Sequence, residues 1–187
     1  MVTSAFQNSM YQRWTLLPLA AFVLSWLFGI ASIVVFPLLL TTAQYLTLRK
    51  HPAVSRPALW FITAITTTYS WIKWGPVSRF STPVDISETI MTHYAGQIVN
   101  SLCILFIVPN EPIETLVRWF GSTLLDAIIW LGLYNLLRQA APDFTGINHT
   151  TGILPFLTYL IISLLAHSVS GLLLLDYAAT GLDETPE

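Results

Sequence analysis

An all-α bundle of about six transmembrane spans, forming one integral membrane domain, is the fold predicted for these 187 residues. Three observations carry that expectation. Charged residues make up 10% of the chain against 54% apolar, well under half of the roughly 25% charged share usual in soluble domains. The mean hydropathy is +0.64. The apolar residues fall in long runs separated by short polar, proline-containing loops, the pattern of a chain that crosses a bilayer repeatedly. The same numbers exclude disordered, collagenous and disulfide-scaffold classes. A net charge of -2 with scattered basic residues leaves no electrostatic stripe for nucleic acid. One cysteine, Cys103, permits no internal disulfide.

The spans are justified in order. Residues 1–13 carry one basic residue, Arg13, and the apolar run continues past them to Leu48 without a small-residue cleavage pattern, so the N-terminus is read as retained. Trp14 to Leu48 is 35 uncharged residues, about 52 Å as one helix against a hydrocarbon core of about 30 Å. Two spans, 14–29 and 31–48, fit better, although Gly29 and Ser32 are weak turn signals and a re-entrant segment is the alternative. The loop Arg49, Lys50, His51, Pro52 and Arg56 follows. Pro57 then suits the first turn of span three, 57–74, which Gly75-Pro76 ends. After a polar loop, Asp85 or Ser87 can cap span four, 88–108. Asn110-Glu111-Pro112 reverses the chain into span five, 113–137, and a second polar loop leads to span six, 152–177. Asp183, Glu184 and Glu187 form an acidic solvated tail.

Arg13, Arg49, Lys50 and Arg56 fall on one side and Lys73, Arg79 and Arg138 on the other. The positive-inside rule therefore favours both termini in the cytoplasm, by a narrow margin. Trp14, Trp60, Trp71, Trp74 and Trp119 lie near span ends and Trp26 near the first turn, where amphipathic rings prefer the interface. Only Trp130 is deep.

Asp126 stands in the middle of span five, between Thr123-Leu-Leu and Ala-Ile-Ile-Trp. A carboxylate at a helix centre costs about 2.5–3.5 kcal/mol on insertion scales, so it faces protein or water and has a partner. Four-residue steps put Ser122, Arg118 and Glu114 on its face. Span four carries Thr89, His93, Gln97 and Asn100 at helical spacing, span three Thr63, Thr67 and Ser70, and span six Ser163, His167 and Ser170. Such faces are satisfied only against one another, and their bland reading is interhelical glue. At a rise of 1.5 Å per residue, Asp126 lies about 19 Å deep, Gln97 about 16 Å, and His167 and Thr67 about 15 Å. Asp126 and His167 are expected to meet between spans five and six with Gln97 nearby. Asp126, His167, Gln97, Asn100, Thr67 and Arg118 form the candidate substrate or ion relay.

Other chemistries are weaker. His93 and His167 are placed roughly 15 Å apart along the normal, against a haem shared by two histidines. A tetrapyrrole such as chlorophyll on His167 alone stays open, because Ala166, Ser168 and Gly171 leave room. His51 and His149 have no metal-ligand spacing. Apolar neighbours leave Cys103 inert. The order Cys103, Arg138, His149 is similar to that of exosortase-type membrane transpeptidases, but the topology sets Cys103 opposite the other two. Glu114 to Arg118 matches only a fragment of the CAAX-type intramembrane protease pattern. Phosphate loops, HExxH and serine elbows are absent. Asn148, His149 and Thr150 form a glycosylation sequon.

The run Gln44-Tyr-Leu-Thr-Leu-Arg-Lys, followed by Ala58-Leu-Trp-Phe-Ile-Thr-Ala, resembles a helix end and restart in small polytopic bacterial membrane proteins. That resemblance spans about 25 residues and implies a membrane fold without a function. Leu133-Tyr-Asn-Leu-Leu-Arg-Gln echoes it faintly, hinting at an internal duplication.

The leading expectation is a non-catalytic subunit or accessory protein of a larger membrane complex, with the bilayer and other membrane subunits as partners. It rests on the lack of a complete catalytic motif and on soluble parts too short for a second domain. The second is a small-molecule, ion or proton carrier using the Asp126/His167 pair. The third is a chlorophyll- or haem-carrying subunit.

Overall fold

A computed structural model describes residues 9–28, 31–50, 54–73, 86–110, 112–141 and 153–174. Among them there are helices and no strands. Helix α1 is Ser9–Trp26, α2 Ser32–Leu48, α3 Ile62–Lys73 behind the 3-10 turn Pro57–Phe61, α4 Ile86–Ser101, α5 Pro112–Ala140 and α6 Ile153–Ser170. A last 3-10 turn, Gly171–Leu174, extends α6, and the short helical stretch Ile104–Ile107 extends α4. Residues 14–48 form two helices, α1 closing in the turn Leu27-Phe28. Pro57 and Pro112 stand at element starts, where a missing N–H costs nothing and a fixed φ helps.

Among the described residues three stretches are long and apolar enough to cross a membrane: Ser87–Ile107, Pro112–Ala140 and Phe156–Leu174. The chain is an integral membrane protein. Its surface agrees, because large apolar side chains such as Leu16, Ile65, Ile113, Val117, Ile128 and Ile161 are exposed while Gln44, Thr67, Gln97, Asn100, Ser122 and Asp126 are buried. That polarity is inverted relative to a soluble protein, as expected where lipid is the solvent outside and hydrogen-bonding groups must find one another inside.

The helices form a closed ring in which each packs against its chain neighbours and α1 packs against α6. Contacts at both ends of five of the six pairs fix their directions as antiparallel. Phe22 meets Phe36 and Arg13 reaches the Leu46 carbonyl between α1 and α2. Trp71 meets Phe36 and Trp60 meets Gln44 between α3 and α2. Trp71 meets His93 and Thr67 meets Asn100 between α3 and α4. Tyr134 meets Tyr159 and Ser122 meets Ser170 between α5 and α6. Trp26 meets Phe156 and Trp14 meets Ser170 where α6 closes on α1.

At the end of the ring where α1, α3 and α5 begin, here the near end, Trp14, Leu48, Trp60, Ile104, Ile107, Val108, Trp119 and Leu174 form a core. Trp119 stands edge-on to Trp14 at 4.7 Å and to Trp60 at 5.2 Å. Gly171 permits the close approach of α1 there, since a Cβ on it would lie 2.8 Å from Trp14. The expectation that tryptophans near span ends mark the membrane interface is thus corrected. Trp14, Trp60 and Trp119 are buried, and Trp26, Trp71 and Trp130 line an interior cavity. A span end is also where the ring closes, and there the bulky rings fill the space between converging helices.

Candidate functional site

All six helices contribute to a cavity of about 250 Å³ inside the ring. Its near-end floor is polar, with Gln44, Gln97, Thr123, Asp126 and His167, and its walls are aromatic, with Phe22, Trp26, Phe36, Trp71, Trp130 and Tyr159. The sequence places these groups by helical phase. Thr89, His93 and Gln97 recur every four residues on α4, Asp126 and Trp130 do so on α5, and Tyr159, Ser163 and His167 on α6. Each set therefore turns one stripe inward.

Asp126 is 4% exposed. Its Oδ2 accepts a 2.6 Å bond from the Tyr94 hydroxyl, and its Oδ1 a 3.3 Å bond from the Ser170 hydroxyl. The His167 Nδ1 stands 3.4 Å from the same Oδ1 and 2.9 Å from the Ser163 carbonyl. A carbonyl only accepts, so Nδ1 carries a hydrogen. His93 has the opposite tautomer, because the Trp71 indole donates to its Nδ1 at 3.2 Å.

A second network lies beside the first. The Trp60 indole donates to the Gln44 Oε1 at 3.2 Å, the Gln44 amide to the Gln97 Oε1 at 2.8 Å, and the Gln97 amide to the Thr67 Oγ1 at 3.2 Å. Asn100 also donates to Thr67, at 2.6 Å, and meets Thr66.

The structure therefore brings Asp126 and His167 together, with Gln97 lining the same cavity and Thr67 and Asn100 connected to it through Gln97. Arg118 does not join them. It pairs with Glu114 at 2.9 Å on the outside of α5, because the drift of a 3.6-residue helix over two turns carries it off the Asp126 face. An exposed i,i+4 pair of this kind is worth about 0.3–0.5 kcal/mol. Arg118→Ala should therefore leave the thermal midpoint of the purified protein within about 2 °C of the parent, and a larger loss would mean that Arg118 reaches the interior. The wide separation expected for His93 and His167 is also corrected, since His93 adjoins Tyr94, whose hydroxyl bonds the Asp126 that meets His167. Cys103 sits in the break after α4, its Sγ 3.6 Å from the Leu59 carbonyl at the near end, while Arg138 closes the far end of α5. Among the described residues no three His, Cys, Asp or Glu side chains converge as metal ligands. His51, Trp74, Arg79, Asp85, His149, the Asn148 sequon and the acidic tail lie outside the described residues.

Sequence reading missed Gln44, Tyr94 and the burial of the three near-end indoles, and a repeated pattern is the signal that finds all but Tyr94. The ring is three helical hairpins, α1–α2, α3–α4 and α5–α6. The first helix of each carries a tryptophan near its start: Trp14, Trp60 and Trp119. Near its end the second helix carries a small residue and then a polar one, Ala43-Gln44, Gly96-Gln97 and Ala166-His167, followed three residues on by Thr47, Asn100 and Ser170. Two turns after each tryptophan stand Ala21, Thr67 and Asp126. The bonds follow the pattern: Thr67 accepts from Gln97 and Asn100, while Asp126 faces His167 and Ser170. The Asp126 cluster is thus the ionisable version, in the third hairpin, of a neutral cluster in the second. Repeats of this kind pair Gln44 with Gln97 and His167, in place of the echo at Leu133.

Comparison with protein-family models, curated proteins and solved structures finds no match in any of the three. The site is read from its geometry.

Proposed function

We infer that the protein is a multi-pass carrier or receptor for a small molecule, held near the midplane in the cavity between the three hairpins. The single observation that supports this is a cavity of about 250 Å³ whose polar floor is the Asp126–His167–Tyr94 cluster. An ionisable pair at membrane depth, facing a cavity at the junction of structural repeats, is the arrangement expected of a binding site in a transporter. The accessory-subunit expectation rests on motifs the sequence lacks, whereas the cavity is a positive feature, so the carrier reading leads. A tetrapyrrole on His167 fits poorly: the cavity is below the about 300–1,000 Å³ typical of sites for drug-sized ligands.

Six crossings belong to this reading. Helices α1 and α2, of 18 and 17 residues, are about 26 Å long, near the hydrocarbon thickness of about 30 Å. In this reading α1, α2 and α3 with its preceding 3-10 turn cross between the same two ends as the three longer stretches, and the near side, where α1 begins and the last 3-10 turn ends, is the cytoplasmic one favoured by the count of basic residues. Reconstituted protein should exchange a bound solute across vesicles.

Occupancy is the first test. The purified protein is heated with a panel of cationic, neutral and anionic compounds of about ten non-hydrogen atoms, the size the volume admits when a cavity of about 150 Å³ takes benzene. At least one class should raise the midpoint by several degrees. Ser163→Phe, which fills the cavity from α6, should abolish the rise. A flat response across the panel, or an equal rise in the filled variant, defeats the reading.

A further inference from the structure

Building on the small-molecule reading above, we propose that the ligand is a small organic cation, an aromatic or quaternary ammonium, held with its charge toward Asp126 and its body among the aromatic walls. Charge is the first ground. Among the described residues Asp126 is the sole carboxylate lining the cavity, and no lysine or arginine lines it. The two lining histidines are not fixed cations as a lysine or an arginine is, and His93 accepts the Trp71 indole hydrogen at Nδ1. The interior is therefore best complemented by a positive charge.

The walls are the second ground. Trp26 packs on Phe156, Phe36 on Trp71, and Trp130 on Tyr159, at centroid separations of 4.8, 5.7 and 6.0 Å. Indole, phenol and phenyl faces attract an ammonium within about 6 Å through their quadrupoles, with tryptophan the strongest. An anion gains nothing from such faces, and a neutral ligand gains only burial. A purely apolar ligand has no use for the polar floor, and a bare metal ion finds one carboxylate where it needs several oxygens. Size is the third ground, since about ten non-hydrogen atoms fit, enough for one ring bearing a charged head.

The test uses the full-length protein in mild detergent and three probes of matched size: phenyltrimethylammonium, the neutral 2-phenyl-2-propanol and the anionic phenylphosphonate. Trp14, Trp26, Trp71 and Trp130 line the cavity, so intrinsic fluorescence reports occupancy. Phenyltrimethylammonium should quench saturably with a Kd at least tenfold below that of the alcohol, and phenylphosphonate should not saturate. Asp126→Asn should raise the Kd for the cation at least tenfold and leave that for the alcohol unchanged. Trp130→Leu, which leaves the Asp126 cluster intact, should weaken the cation severalfold and the alcohol less. If the alcohol or the phosphonate binds as tightly as the cation, the cation assignment fails and the cavity reading survives. If none of the three binds saturably, both fail.

Discussion

Trp60→Ala should lower stability by about 3–5 kcal/mol, the cost of removing a large aromatic side chain from a packed core. That corresponds to a fall of roughly 10 °C in the thermal midpoint of a chain this size. Trp60 is fully buried. It packs against Trp119 and is part of the near-end core with Ile104, Ile107 and Val108. Its indole also donates to Gln44, so the substitution opens a void and leaves a buried amide oxygen without its donor. Trp60→Phe should recover most of the packing and lose only the hydrogen bond, about 0.5–1.5 kcal/mol. Differential scanning fluorimetry in detergent compares these with Leu16→Ala, where the parent side chain is outward and 58% exposed. A loss at Trp60 no greater than at Leu16 would show that the near-end core is not packed as described.

Gln97→Leu is expected to be the second most damaging change. It strands the Gln44 amide and removes one donor from Thr67, and each buried group left without a partner costs about 1–3 kcal/mol. Gln44→Leu should cost a similar amount, because it strands the Gln97 oxygen and the Trp60 indole. The double change removes both halves of the central bond, so its cost should fall short of the sum of the singles by about 0.5–3 kcal/mol. Additive losses would mean the two amides are not bonded to each other. The measurement is a double-mutant cycle on unfolding midpoints, with Arg118→Ala as a near-neutral control.

Much of this was legible in the sequence because a bilayer makes two properties visible. Apolar run length located the helices: Pro57, Pro112 and Leu48 fall at element ends as expected, since a helix crossing hydrocarbon cannot stop short without stranding its backbone. The cost of burying charge singled out Asp126, and counting along the helices brought it beside His167. Three things were hidden. Arg118 appeared to share the Asp126 stripe because four-residue steps drift around a helix. The tryptophans were read by their position along the membrane normal, which says nothing about whether a ring turns toward lipid or toward the axis. Gln44 and Tyr94 were overlooked because a single amide or phenol in a span costs little and so draws no notice. The alignment of hairpins exposes Gln44, since Gln44 and Gln97 occupy the same place in their hairpins as His167 in its own, while Tyr94 falls outside that pattern.

The three near-end indoles come from three different hairpins, and this limits how the molecule can open toward that face. Trp119 stands between the other two and touches both, so rotating Trp14 or Trp60 alone leaves Trp119 in contact with the remaining ring, whereas moving Trp119 breaks both contacts. In the carrier reading, opening toward that face would turn on the α5–α6 hairpin that carries Trp119, a rigid-body displacement of the kind that separates packed domains. Trp119 is the keystone of an arch: either leg can shift while the other still bears on it, but once the keystone moves both legs lose their support together.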